Sequence, residues 1–390
     1  MKPVHIIAAK RSPIGRFGGG FKTLHPSELA TLTAASVVPE GLRPHVGQVI
    51  LGQVLQAASG MNVARQVGLK LGLPEHVPAF TVNMVCGSSL KAIALGADAV
   101  RSGESGIVLA GGVEVMSRAP HYMMETRWGK KLGDTALQDS ILVDGLSDPL
   151  TKMGMGETAE RIADKYGITR HEQDVFAERS QSRFAAHRDA ITREIVPVSG
   201  VTADEHPRLD TTVLTLSTLK PSFRKDGSVT AGNSSGINDG AACVLLASNE
   251  AVRAHGLTSR ARIVATAVVG CDPSLMGLGP VGAIQKLCAL TGWKLAEVEA
   301  LEINEAFAAQ TLGCAGELSL DMDQLNQRGG AIALGHPIGA SGARVLVTLL
   351  HLMEDSSYRR GIASLCIGGG MGIAMAIERD SAPSGTLDHH

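Results

Sequence analysis

Two runs far apart in this chain are written alike. Residues 107–114 (Ile-Val-Leu-Ala-Gly-Gly-Val-Glu) and 362–372 (Ile-Ala-Ser-Leu-Cys-Ile-Gly-Gly-Gly-Met-Gly) are both continuous apolar stretches ending in glycines. A run apolar at every position is a strand covered on both faces, as in a parallel sheet layered with helices. Each follows a stretch of small residues with helical character, and each of those follows a side chain capable of chemistry: Cys86 within 81–92 and His336 within 326–342. Repetition on this scale predicts internal duplication, with Cys86 and His336 at equivalent strand-to-helix junctions. A pseudo-twofold pairing of the halves would bring those junctions together.

The rest of the chain fits that frame. Of 390 residues, 44% are hydrophobic and only 12 are aromatic (2 Trp, 3 Tyr, 7 Phe), while 46 are glycine, so the core is built from Ala, Val, Leu, Ile and Gly, as in closely packed α/β layers. Strands are expected at 4–9 and 48–55 and helices at 26–36 and 62–71, an alternation that favours parallel strands with crossover helices. From 116 to about 232 Trp, Tyr, Pro and charge concentrate. Helices are expected there at 157–166 and 169–188, the second opened by a Thr169/Glu172 capping box. This segment reads as an insertion over the layers. A strand returns at 242–246, a helix at 250–255, and the second half begins near 261. The expected division is an N-terminal half at 1–260 carrying a loop domain at about 117–240, a C-terminal half at 261–380, and a loose polar tail at 381–390.

Composition removes several function classes. A formal charge of −2 gives no electrostatic reason for nucleic acid or an anionic membrane as partner. The six cysteines form no Cys-x-x-Cys pair and no cysteine–histidine zinc spacing, so neither a disulfide framework nor a metal is expected, and a reducing cytoplasm fits. The opening residues are too short in apolar run for a secretory signal. The longest apolar stretches, 81–100 and 343–353, carry Lys91, Asp98 or Arg344 and read as core rather than membrane spans.

Cys86 is the candidate nucleophile. Free amides at a helix start favour negative charge, so a thiol there is expected to ionise more readily than usual. The 232–242 stretch, Gly-Asn-Ser-Ser-Gly-Ile-Asn-Asp-Gly-Ala-Ala, suits a backbone loop pressed against a ligand or a tight connection. Gly277-Leu278-Gly279-Pro280-Val281-Gly282 fits the dinucleotide pattern with Glu302 about twenty residues on, but Pro273 separates it from the strand that should precede it.

Five motifs in order, Cys86-Gly87-Ser88-Ser89, the 232–242 loop, Asn304-Glu305-Ala306-Phe307-Ala308, Gly335-His336-Pro337-Ile338-Gly339-Ala340-Ser341-Gly342 and Cys366-Ile367-Gly368-Gly369-Gly370-Met371-Gly372, resemble the thiolase family from residue 4 to about 378. The resemblance implies two βαβαβαββ halves in a five-layered αβαβα core, a loop domain, a homodimer or homotetramer, and coenzyme A or acetyl-CoA as substrate with no permanently bound cofactor. It implies reversible cleavage of a 3-ketoacyl-CoA by CoA, or condensation of two acetyl-CoA molecules, through an acyl group on Cys86. His336 would be the base, Asn304 would hold a water at the enolate oxygen, and Cys366 would move the α-carbon proton. The backbone N–H groups of Cys86 and Gly368 would face the thioester carbonyl.

The same resemblance matches Ser235 to the pantetheine arm, Arg208 to the adenosine phosphates, and Phe223, Met276, Ala306 and Phe307 to the acyl and pantetheine lining. The chain departs from the pattern at two places. Short-chain members carry His-Met-Gly before the Thr-Ala-Glu helix, whereas here Lys152-Met153-Gly154-Met155 lacks that histidine, puts Met155 in the lining position and points to broader chain length. Arg328 replaces the second asparagine of Asn-x-Asn-Gly-Gly. A ketoacyl synthase-like condensing enzyme is the rival within the fold, opposed by Asn304 and Cys366. An inactive acyl-CoA-binding protein is the rival outside catalysis, and a nicotinamide-dependent oxidoreductase rests on the dinucleotide pattern alone.

Overall fold

Strands β1 (Val4–Arg11), β2 (Gln48–Gly52), β3 (Ala79–Val82), β4 (Ile107–Val115) and β5 (Asn238–Ser248) come from the first part of the chain, and β6 (Ala261–Gly270), β7 (Ala300–Ile303), β8 (Arg360–Ile367) and β9 (Met371–Glu378) from the second. The computed structural model describes residues 2–380, so the tail expected at 381–390 lies outside the described residues. The strands line up as β3-β2-β4-β5-β1-β6-β9-β8-β7.

The duplication is legible in the pairing. In the first half β1 runs antiparallel to β5, β5 antiparallel to β4, and β4 and β3 parallel to β2. In the second, β6 runs antiparallel to β9, β9 antiparallel to β8, and β8 parallel to β7. The halves join antiparallel at β1 and β6 through His5–Arg262 and Ile6–Ala261, where a pseudo-twofold axis passes. One strand is not repeated. The counterpart of β3 is a single parallel bridge, Leu301 to Leu325, because residues 319–330 are polar and glycine-rich. Asn326 (φ +49°) does the work of a strand there: its amide accepts from Ile303 N–H at 2.9 Å and donates to Ile303 C=O at 2.9 Å.

Eight of the helices are α1 (Pro26–Ala34), α2 (Val63–Lys70), α3 (Ser88–Ser102), α4 (Met155–Tyr166), α5 (Arg170–Ala186), α6 (Gly279–Thr291), α7 (Ala308–Leu318) and α8 (Ser341–Asp355). Strand alternation sorts the core into layers. On β4, Ile107, Leu109 and Val113 face Leu29, Val63 and Val67 of α1 and α2, while Val108 and Ala110 face Ile93 and Ala97 of α3. Leu346 and Leu350 of α8 share that inner core with Leu365, Ile373 and Met375 of the second half. Beyond it, Ile284 and Leu287 of α6 and Cys314 of α7 cover Leu301, Ile362 and Ala374. The order is α1/α2, half-sheet, α3/α8, half-sheet, α6/α7, the five-layered α/β architecture.

Between β4 and β5 the chain lays α4 and α5 over these layers, and α5 opens on the expected capping box, with Glu172 N–H on Thr169 Oγ1 at 3.2 Å and Thr169 N–H on Glu172 Oε2 at 2.7 Å. The Gly277–Gly282 stretch has a packing origin. A Cβ on Gly279 would lie 2.0 Å from Met371 O, so glycine lets α6 start directly against β9. Among the described residues no helix is long and apolar enough to cross a membrane.

Candidate active site

The small residues opening α3 and α8 let the central helices touch at their first turns. Ala343 N–H donates to Ser89 Oγ at 2.9 Å, and a Cβ on Gly342 would sit 2.6 Å from Leu90 N. The loops entering those two helices, which carry Cys86 and His336, are therefore brought side by side. Cys366 is the penultimate residue of β8, Asn304 directly follows β7, and Gly368 opens the turn from β8 to β9. All stand at the carboxyl ends of parallel strands, where open α/β sheets hold ligands.

Glu114, at the end of β4, ties the rim together. Its buried carboxylate accepts from Val54 N–H (2.9 Å), Leu55 N–H (3.1 Å) and, across the halves, Gly339 N–H (3.0 Å) of the His336 loop. Burial nevertheless pushes its pKa up to about 7, against those three donors.

Cys86 sits on a strained turn. Val85 before it has φ +46°, which a β-branched side chain resists, and the turn is held by Val85 N–H on Asn83 Oδ1 (3.0 Å), Met84 N–H on Ser88 Oγ (2.9 Å) and Ser88 Oγ–H on Val85 C=O (2.6 Å). The expectation that the helix start would make this thiol acidic is overturned. Desolvation by burial drives it up to about 11, and the backbone N–H groups of Gly368 and of Cys86 itself, which favour the thiolate, only moderate the rise. The helix contributes little because Gly87 is its N-cap, leaving Cys86 outside the first turn. Those two amides are the pair expected to form an oxyanion site.

His336 is fixed from both sides. Its N–H donates to Asn238 Oδ1 at 3.0 Å, and its Nδ1 lies 2.6 Å from Ser341 Oγ. Ser341 gives its single proton to Pro337 C=O at 2.9 Å, so it can only accept from the ring. Nδ1 therefore carries the hydrogen and Nε2 keeps the lone pair. Burial, then the Arg344 charge, lowers the imidazole to about 3, leaving a neutral base. Asn304 caps no helix, since α7 starts at Ala308 with Phe307 as its N-cap. Its Nδ2 instead lies 3.5 Å from both ring nitrogens of His336, too far for a strong hydrogen bond.

A cavity of about 610 Å³ opens onto this centre, lined by Cys86, His336 and Cys366 and by all seven expected contact residues, Met155, Arg208, Phe223, Ser235, Met276, Ala306 and Phe307. Phe223 and Phe307 meet edge to face at 5.9 Å, and Gly156 is small because a Cβ there would strike the Phe223 ring. The loop at 232–237 forms one wall and is stapled to the second half by Ser235 N–H on Ala306 C=O (3.0 Å) and Ala308 N–H on Asn233 C=O (2.9 Å). Asn304 and Gly368 lie behind the lining rather than on it.

Sequence reasoning missed Ser341 and Glu114, which carry no reactive signature of their own. His206 lines the cavity, lowered to about 4 by burial and then by Arg208, and Arg16 and Phe17 line it too. Arg328, the departure from the asparagine pattern, is buried and pairs with Asp355 at the end of α8, anchoring the loop that leads to His336.

The chain matches the model of the thiolase N-terminal domain over residues 4–250 and that of the thiolase C-terminal domain over residues 257–379. The chain belongs to the thiolase family. It is 50% identical to the acetyl-CoA acetyltransferase of Chromobacterium violaceum, over 96% of this chain and 99% of that one. Among solved structures it resembles the Bacillus anthracis acetyl-CoA acetyltransferase (43% identity, TM-score 0.94, 97% and 99% of the two chains). It also resembles human mitochondrial 3-ketoacyl-CoA thiolase in complex with CoA (42% identity, TM-score 0.95, 97% and 98%). With relatives of this kind along nearly its whole length, this chain is an acyltransferase.

Proposed function

We propose that this enzyme transfers an acyl group between 3-ketoacyl-CoA and CoA through a thioester on Cys86, reversibly, so that it also condenses two acetyl-CoA molecules to acetoacetyl-CoA. The observation that carries the reading is the single cavity shared by Cys86, His336 and Cys366.

In this reading the Cys86 sulfur attacks the ketone carbon while its proton passes to Nε2 of His336. A thiol near 11 facing an imidazole near 3 does not form a resting ion pair, so the proton moves only as the carbon–sulfur bond forms. The carbon–carbon bond then breaks, Cys366 S–H protonates the α-carbon, and acetyl-CoA leaves. The His336 proton returns to Cys366, so both groups are restored. In the second half-reaction His336 takes the proton of the incoming CoA thiol, the thiolate attacks the acyl group, and Cys86 leaves and recovers that proton. Asn304 and His336 hold a water at the enolate oxygen, while the N–H groups of Cys86 and Gly368 hold the thioester oxygen, each donor supplying on the order of 3 kcal/mol.

Arg208 at the cavity mouth suits the CoA phosphates and Ser235 the pantetheine arm. Met155, Phe223, Met276, Ala306 and Phe307 give an apolar acyl wall that suits chains longer than acetyl. A homodimer or homotetramer, a division of the chain near residue 260, a cytoplasmic setting and a place in fatty-acyl metabolism complete the proposal. The test is intact-mass analysis after treatment with acetyl-CoA. One acetyl group on Cys86, released by free CoA and absent in Cys86→Ala, is expected. An unmodified Cys86 alongside bound acetyl-CoA would instead describe an inactive binder.

A further inference from the structure

The side chain of Arg344 is about 2% exposed and lies in the first turns of α8, yet it makes no ion pair with any carboxylate among the described residues. Arg11, the other fully buried arginine nearby, has Glu194 at 3.0 Å and Asp204 at 2.7 Å. Arg344 has one hydrogen bond, from Nη2 to Asn304 Oδ1 at 3.0 Å, and its Nε and Nη1 are without partners. Burying a charge without a close counter-charge is expensive. The carboxylate that acts most on it, Glu302, is itself fully buried and pushed up to about 8, so it is largely neutral at pH 7 and offsets little of that charge. Stability therefore gives no reason for an arginine at this position.

The neighbouring site does. A primary amide can be turned either way, and only one of its ends donates. A guanidinium has no acceptor, so the end of Asn304 facing Arg344 must be the oxygen. That leaves Nδ2 aimed away from Arg344, 3.5 Å from the His336 ring, with its protons free for an oxygen between them. Ser341 and Arg344 are one turn apart on α8, so a single helical turn sets both the tautomer of His336 and the direction of Asn304.

We infer that Arg344 is a positioning residue for the enolate step, locking the Asn304 amide with its donor end toward His336 and placing a positive charge behind the imidazole. The inference rests on the role given to Asn304 and His336 above and extends it to a residue that touches neither substrate nor reacting atoms. The charged and titratable groups around the pair are Glu302, Glu305, Glu194 and Arg11 about Arg344, Glu114 on the Gly339 side, and the Cys86 and Cys366 thiols across the cavity. Removing Arg344 leaves Glu302 with less reason to ionise, so no new negative charge arises beside the ring.

The experiment compares Arg344→Met, Arg344→Lys and Arg344→Gln with Asn304→Ala, reading exchange of the acetyl-CoA α-protons with solvent deuterium, acetylation of Cys86, thermal stability, and the pH profile of kcat/KM. For Arg344→Met, α-proton exchange is expected to fall on the order of 100-fold while Cys86 still acetylates fully. The acid limb of the profile is expected to move up by about one pH unit, and the melting temperature to hold or rise. Arg344→Lys keeps the charge and should leave the limb in place while recovering part of the exchange. Arg344→Gln keeps a donor without the charge and serves if the methionine variant does not fold: its limb should move while exchange is largely kept. Wild-type exchange with an unmoved limb in Arg344→Met, or an unmoved limb in Arg344→Gln, overturns the inference. So does a loss in which exchange, acetylation and stability all fall together. Wild-type exchange in Asn304→Ala would instead remove the underlying role of Asn304, so the two failures are distinguishable.

Discussion

At the residue scale, the reactive groups are defined by how far burial moves them from their ordinary ionisation. Cys86 is a protonated thiol at neutral pH, so its alkylation by iodoacetamide should be slow near pH 7 and rise roughly tenfold per pH unit toward 11. A plateau reached below pH 8 would show a resting thiolate and contradict the neutral pair. His336 gives a stability signature of the opposite sense. Its folded value near 3 lies below the ordinary 6.5, so between those limits the unfolded chain binds a proton that the native state does not. Stability is then fully present above 6.5 and lost as pH falls toward 3, by up to about 5 kcal/mol. Denaturant unfolding of wild type and His336→Gln across that window should show a steeper fall for wild type; parallel curves would contradict a buried neutral imidazole. Cysteine and histidine could be nominated from sequence. Their protonation states could not, because the few tenths to 1 kcal/mol a helix start offers is smaller than the burial that only three dimensions reveal.

At the element scale, the juxtaposition of Cys86 and His336 depends on α3 and α8 approaching closely at their first turns. A Cβ on Gly342 would meet Leu90 N at 2.6 Å and Leu90 Cβ at 2.7 Å, so Gly342→Ala must push the helices, and with them the loops carrying Cys86 and His336, apart. It should lower turnover at least on the order of 100-fold, as sub-ångström misplacement of reacting groups does, and reduce the melting temperature. Gly316 in α7 is the control. It is exposed, with nothing within 4 Å of an added Cβ, so Gly316→Ala should leave turnover unchanged and stabilise by about 0.5–1 kcal/mol. Equal behaviour of the two alanines would contradict the close-approach argument. The small residues before and within these helices were legible in the sequence, as were the strands ending in glycine. The missing strand was not, since Asn326 replaces it with a side-chain amide that no periodicity records. Nor was the start of α7 at Ala308, because Asn304 is engaged by Arg344 rather than by the helix amides.

At the scale of the whole molecule, duplication is what makes the site. The pseudo-twofold at β1 and β6 aligns the two strand-end rims so that the first contributes Cys86 and the second His336 and Cys366 to one cavity, and in the proposed mechanism neither half alone supplies nucleophile, base and proton carrier. Glu114 is the strap between them, and Glu114→Ala would leave three buried N–H groups without an acceptor. A loss of roughly 3 kcal/mol or more in unfolding free energy is expected, with less than 1 kcal/mol excluding the strap. The duplicated plan, the five motifs and the lining residues were all readable before the fold, whereas Arg344, Ser341, Glu114 and His206 were not. Those four act through what they touch, and their identities alone say nothing of it. Sulfurs from opposite halves converge on the cavity, and the most direct measurement of that convergence is cross-linking of the native protein with a short bifunctional thiol reagent, followed by peptide mass spectrometry. A bridged Cys86–Cys366 peptide that disappears when acetyl-CoA is added first is the expected result; the two cysteines modified separately, or bridged to other thiols, would contradict it.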